Sequence, residues 1–151
     1  MLWCALGAPC VFAGCAKGEA EWAADLGSPD PYVRGLASIG WAVQSPRTAD
    51  PALDVLLETI DRSEVGLERA AAAALQVAGP HHVEALLTAL TGEAFLTEDR
   101  RGAILNALVN AGATAVPAIA RCLQGPGREH AGELGEVLRR IGPPGAQRGP
   151  R

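Results

Sequence analysis

Apolar residues recur at helical spacing through the middle of the chain. Leu53, Leu56, Leu57 and Ile60 fall at i, i+3, i+4 and i+7. So do Val83, Leu86, Leu87 and Leu90, and then Val116, Ile119, Ala120 and Leu123. Residues at this spacing share one face of a helix. A second series interleaves with the first: Ala71, Ala74, Leu75 and Ala78, then Ile104, Ala107, Leu108 and Ala111, then Leu134, Val137, Leu138 and Ile141. The later stripes of the first series stand 33 residues apart, from Val83 to Val116. Two helical stripes per period predict stacked helix pairs, an all-α fold built as an α-solenoid of about four antiparallel pairs. No stretch alternates in the way a half-buried strand requires.

Turn residues punctuate this pattern. A first helix is expected from Glu19 to Leu26, with Trp22 and Leu26 facing inward. Asp30 is a good N-cap and Pro31 a good first helical residue. The helix they open carries Val33, Ala37, Gly40 and Trp41 on one face and ends before Pro46. Asp50-Pro51 repeats that start and opens a helix through Ile60. The next runs from Glu64 to Ala78, with Gly79 as C-cap. Pro80 starts the helix of Val83–Leu90, and Thr97-Glu98-Asp99 opens one that Gly112 closes. Ala113–Leu123 follows, then a Gly125-Pro126-Gly127 turn and a last helix to Ile141. The tail, 143–151, is rich in Pro and Gly and is expected to be disordered.

Composition narrows the function classes. The chain has 151 residues, one domain's worth, of which 48% are apolar and 4% aromatic. Alanine supplies much of the apolar content; it is the best helix former and lets helices approach closely. A net charge of −4 argues against nucleic acid as partner. No stretch reaches the roughly 18 to 20 apolar residues needed to cross a bilayer.

Residues 1–16 carry no charged side chain and end in small residues, as a secretory signal does. Phe12-Ala13-Gly14-Cys15 resembles the lipobox of bacterial lipoproteins. The resemblance implies a signal peptide over 1–14, cleavage before Cys15 and acylation of Cys15. A tether over 15–21 and a repeat domain over 22–142 would follow. The implied location is the bacterial cell envelope, lipid-anchored, with Ala16 favouring the outer membrane; the alternative is the cytoplasm, with 1–15 packed on the first pair. Cys4 and Cys10 would leave with the signal, and Cys122 is expected to be a buried structural thiol.

The segment Leu67–Leu90, LERAAAAALQVAGPHHVEALLTAL, resembles the short HEAT repeat, of the kind also found in phycobilisome lyases. Arg100–Leu123 follows the same pattern. The resemblance implies a non-catalytic scaffold or adaptor that binds another protein or peptide, with the second helix of each pair lining the binding side. Off-stripe residues there are Arg34, Arg69, Gln76, Arg101, Asn106 and Asn110, with Arg139 toward the end. Arginines and amides suit recognition of a peptide or protein surface. Arg34, Arg69 and Arg101 share no aligned column, so no single regular ladder of Arg–acid pairs is expected. The alternative that the resemblance carries is a cytosolic subunit of a bilin-lyase-like enzyme.

Catalytic patterns are lacking in the sequence. His81-His82 follow Pro80 at a helix start, where exposed positions are expected. Adjacent imidazoles diverge by about 100° on a helix and chelate poorly. His130 is isolated. No phosphate loop or nucleophile elbow is present. The expectation is a chain with no catalytic residues, no metal, no cofactor, no small-molecule substrate, and membrane contact through a lipid anchor alone.

Overall fold

The computed structural model describes residues 17–62, 65–92 and 95–143. The proposed signal over 1–14, Cys15 and all of the tail except Pro143 lie outside the described residues. Those described form eight α-helices joined by turns, and no strand.

Helix α1 spans Glu19–Leu26, so residues 19–21, read as tether, are its first turn. The Gly18 N–H donates to Glu21 Oε2 at 2.8 Å, which fixes that start. Trp22 is buried and Leu26 partly buried, as expected. Helix α2 spans Pro31–Gln44 and starts as the sequence predicts: the Tyr32 N–H donates to Asp30 Oδ1 at 2.9 Å.

The next start departs from expectation. Asp50–Ala52 is a 3₁₀ turn, and α3 covers Leu53–Asp61. Tight 3₁₀ turns are common where a chain enters a helix, and Pro51 suits one. Helix α4 covers Glu68–Ala78, not Glu64–Ala78. Gly66 has φ of 73°, a left-handed conformation that breaks any helix running in from Glu64. Gly79 is not a left-handed cap, since its φ is −48°; with Pro80 it enters another 3₁₀ turn, Gly79–His81.

Helix α5 is Val83–Gly92 and α6 is Glu98–Ala111. The N-cap of α6 is Thr97, whose Oγ1 accepts the Arg100 N–H at 3.2 Å. Gly112–Thr114 is a 3₁₀ turn, so α7 spans Val116–Leu123 rather than starting at Ala113. This late start rotates the third stripe. Ala115, Ala118 and Ile119 are buried, whereas Val116 and Ala120 are exposed. A further 3₁₀ turn, Pro126–His130, leads into α8, Ala131–Ile141.

The helices form two layers. The second helices α2, α4, α6 and α8 pack on one another in succession, while α1 packs on α2, α3 on α4, α5 on α6 and α7 on α8. The core runs unbroken between the layers, through Trp41, Leu56, Leu75, Leu86, Ile104, Leu108, Ile119 and Leu134. Alanines make the second-helix layer tight: Ala71, Ala74, Ala103 and Ala107 are all buried within it. The first helices are spaced more openly. A groove of about 310 Å³ lies between α3 and α5, and one of about 380 Å³ between α5 and α7.

At the N-terminal end, α1 packs along α2, with Trp22 set against Gly40. A Cβ on Gly40 would come within 2.3 Å of the Trp22 ring. Gly40→Ala is therefore expected to cost about 1–3 kcal/mol by overpacking. Gly135→Ala, on the open face of α8 with nothing within 4 Å, is expected to gain about 0.5–1 kcal/mol. Chemical denaturation of both variants checks this, and equal effects would rule out the Trp22–Gly40 contact as a fitted one.

Candidate functional site

The residues expected to make a binding face separate into two groups. Arg34 belongs to the inner side of α2. Its guanidinium donates to the carbonyls of Ser28 at 2.9 Å and Pro29 at 3.3 Å, and pairs with Glu58 at 3.1 Å. It therefore locks the α1–α2 turn to α3, and its charge is matched inside the molecule. Arg101 likewise reaches sideways from α6 to Glu133 on α8, at 3.0 Å. His130 Nδ1 lies 3.1 Å from the same carboxylate, at Glu133 Oε2.

The others stand on the outward face of the second helices. Arg69 is exposed on the first turn of α4, with no partner among the described residues. Gln76, Asn106 and Asn110 are exposed too, and the amides of Asn106 and Asn110 stitch helices together. Asn110 Nδ2 donates to the backbone carbonyl of Gln76 at 2.9 Å, joining α6 to α4. Arg140 donates to Asn106 Oδ1 at 3.3 Å, joining α8 to α6. Arg139 is also exposed and is paired with Glu136.

Ion pairs link the helices without forming one ladder. Arg100 pairs with Asp61 at 2.5 Å, bringing α6 onto the end of α3. Arg121 on α7 pairs with Glu84 on α5. The arginines reach different elements because they start from different helical positions, as the missing aligned column implies.

Four residues on the outward face were not read from the sequence: Tyr32, Leu36 and Val43 on α2, and Val77 on α4. They are 48%, 43%, 53% and 46% exposed. The signal was present, because α2 holds one charged residue in 14, Arg34. Apolar residues occupy both faces of that helix, and periodicity marks only the inner stripe.

A groove of about 430 Å³ lies between α4 and α6, lined among others by Asp61, Glu68, Arg69, Glu98 and Asp99. The histidines do not converge. His81 is exposed, but His82 corrects the expectation of exposure: its side chain is 8% exposed and Nε2 lies 2.7 Å from the Pro46 carbonyl. His82 packs there because the 3₁₀ turn at Gly79–His81 swings it toward the Pro46 turn. Among the described residues, no three of His, Cys, Asp and Glu are placed to hold a metal ion. No single described helix is long and apolar enough to cross a membrane.

Cys122 is partly buried against the turn at Gly127, where a Cβ would fall 2.5 Å from its Sγ. Burial pushes its thiol above the ordinary range; the Glu84 carboxylate adds to the shift and a hydrogen bond to the Gly127 backbone opposes it. A thiol held protonated is a poor nucleophile.

Comparison with family models, curated proteins and solved structures finds no match to the chain.

The division between inner and outer arginines is testable. Arg34→Ala leaves two carbonyls without their donor and Glu58 with Arg62 alone, and should cost about 1–3 kcal/mol. Arg69→Ala, at an exposed position, should stay within about 0.5 kcal/mol of the parent. Urea unfolding of the two variants would contradict the division if their order were reversed.

Proposed function

We propose that this chain is a non-catalytic protein–protein interaction module, a scaffold or adaptor built as a HEAT-like α-solenoid of four helix pairs. The observation that carries this reading is the succession of second helices, α2 to α8, packed side by side with their outward faces in one layer. The Asn110–Gln76 and Arg140–Asn106 bonds support the reading as well, since each joins neighbouring second helices at this surface. A layer of this kind presents a broad surface, which suits recognition of a protein or peptide. Arg69, Gln76, Asn106 and Asn110 belong to that surface; Arg34 and Arg101 support it from behind.

The reading extends to an envelope lipoprotein anchored through Cys15, on the strength of the Ala13-Gly14-Cys15 pattern and the uncharged run before it. Acyl chains on Cys15 would place α1 close to the bilayer, since three residues, Ala16 to Gly18, separate Cys15 from Glu19. Two or more chains make such an anchor stable.

Crosslinking mass spectrometry on native membranes tests the module. One protein should crosslink to the second-helix layer and be lost when Arg69→Glu and Gln76→Glu are combined. Crosslinks spread evenly over both layers, or unchanged in the double variant, would count against the surface.

Anchoring has its own measurement. The intact mass from the membrane fraction should correspond to a chain starting at Cys15 with added acyl mass, and Cys15→Ser should release the protein. An unprocessed chain would remove the anchor and leave the interaction surface standing.

A further inference from the structure

The second-helix layer opens between α4 and α6. Buried alanines, Ala71 and Ala74 on one helix and Ala103 and Ala107 on the other, mark where the two pack. Toward their N-terminal ends lies the groove of about 430 Å³. Small residues keep it open. Ala72 and Gly102 line it, and a Cβ on Gly102 would meet nothing within 4 Å. Glycine is disfavoured inside a helix, so folding gains nothing from leaving this space empty.

Four carboxylates line the groove, and they are not equally matched. Asp61 accepts from Thr97 Oγ1 at 2.5 Å and pairs with Arg100. The side chains of Glu68, Glu98 and Asp99 have no hydrogen bond or ion pair among the described residues. Glu98 and Asp99 stand in the first turn of α6, and Glu68 in that of α4, where the helix dipole favours an acid. The dipole does not account for where Glu68 points. Its Oε2 is buried at the groove and accepts no hydrogen bond. A buried acceptor without a donor is costly, and no described residue supplies the donor. Arg69, the one cation among the lining residues, is exposed and pairs with none of the acids.

We infer that the α4–α6 groove receives an arginine side chain of the partner protein. The inference rests on the interaction-module reading and names what that surface recognises. Charge sets the class, since three unmatched carboxylates against one unpaired cation leave the groove negative. Geometry selects arginine within that class. A guanidinium presents five N–H donors in a planar fork, which can serve Glu68 on one wall and Glu98 or Asp99 on the other. An ammonium is a compact, strongly hydrated point charge and serves two walls less well. The methylene stem of the arginine packs over Ala72 and Gly102. Arg69 then meets an Asp or Glu next to that arginine in the partner. A metal ion does not fit the same acids, because among the described residues no three are placed to hold one.

Fluorescence anisotropy with labelled eight-residue peptides tests the inference on the full chain. The first peptide carries Arg-Asp at its centre in a Gly/Ser/Ala background. In the second, citrulline replaces the arginine and keeps its shape without its charge; in the third, lysine replaces it. The first should bind at least about tenfold more tightly than the second and about threefold more tightly than the third, and its lead over the second should shrink as salt is raised. Gly102→Leu fills the groove without changing its charge and should weaken the first peptide by about tenfold or more, with far-UV circular dichroism unchanged. Glu98→Gln combined with Asp99→Asn should do the same. Glu129→Gln, at an exposed carboxylate that does not line the groove, should leave binding unchanged. Absence of binding, equal binding of the first peptide and either control, or indifference to Gly102→Leu would overturn the inference. So would an equal loss in Glu129→Gln, since overall charge would then account for the binding. Should the peptides fail while crosslinking to the second-helix layer persists, the partner class falls and the module stands.

Discussion

Close approach between successive second helices is the constraint on which the rest of this structure depends. Ala71, Ala74 and Ala78 on α4 and Ala103, Ala107 and Ala111 on α6 are buried where the helices meet. A methyl group is the largest side chain that such spacing admits without strain. Gly79 shows how tight the join is: a Cβ there would lie 3.1 Å from the Ala107 methyl. The larger side chains, Leu56, Leu75, Leu86, Ile104, Leu108 and Ile119, then fill the space between the layers. Small residues within a layer and large ones between layers give the two helix series different spacings. The second helices pack closely in succession, whereas the first helices meet one another less extensively.

Polar side chains act on this frame mainly as ties. Arg34 closes the first pair onto α3, Arg100 brings α6 to the end of α3, and Arg101 joins α6 to α8. Such partly exposed pairs contribute little stability individually. Their effect is on register: each fixes how far one helix has slid along its neighbour, which packing among near-identical alanine faces leaves weakly specified. The Asn110–Gln76 and Arg140–Asn106 bonds act in the same way at the outer surface.

Much of this was legible in the sequence because helix burial is periodic. The stripes at Leu53–Ile60, Ala71–Ala78, Val83–Leu90 and Ile104–Ala111 are buried as read, and the caps at Asp30 and Thr97 hold. The errors lie where local turn geometry decides. A 3₁₀ turn at Gly112–Thr114 delays α7 and rotates its buried face by one residue, so that Val116 and Ala120 point outward. Gly66 shortens α4, and the turn after Gly79 buries His82. None of these turns has a periodicity to reveal it. The candidate binding face was legible only in part. Position along a helix showed that Arg69, Gln76, Asn106 and Asn110 lie off the apolar stripe, but Arg34 and Arg101 are off the stripe as well and still face acids on neighbouring helices.

The case of α2 shows why a surface is harder to read than a core. In an amphipathic helix the charged side marks the solvent and the apolar side marks the interior. Helix α2 inverts this with one residue, because Arg34 reaches inward to Glu58 and to two carbonyls of the preceding turn. An inward charge is tolerable here because its donors are matched and its side chain remains partly open to water. The outward side is then free to carry Tyr32, Leu36 and Val43, which add nothing to the core. A side chain that neither packs nor solubilises is unconstrained by folding. An uncharged stripe held at the surface in this way is accounted for by contact with another molecule rather than by the fold.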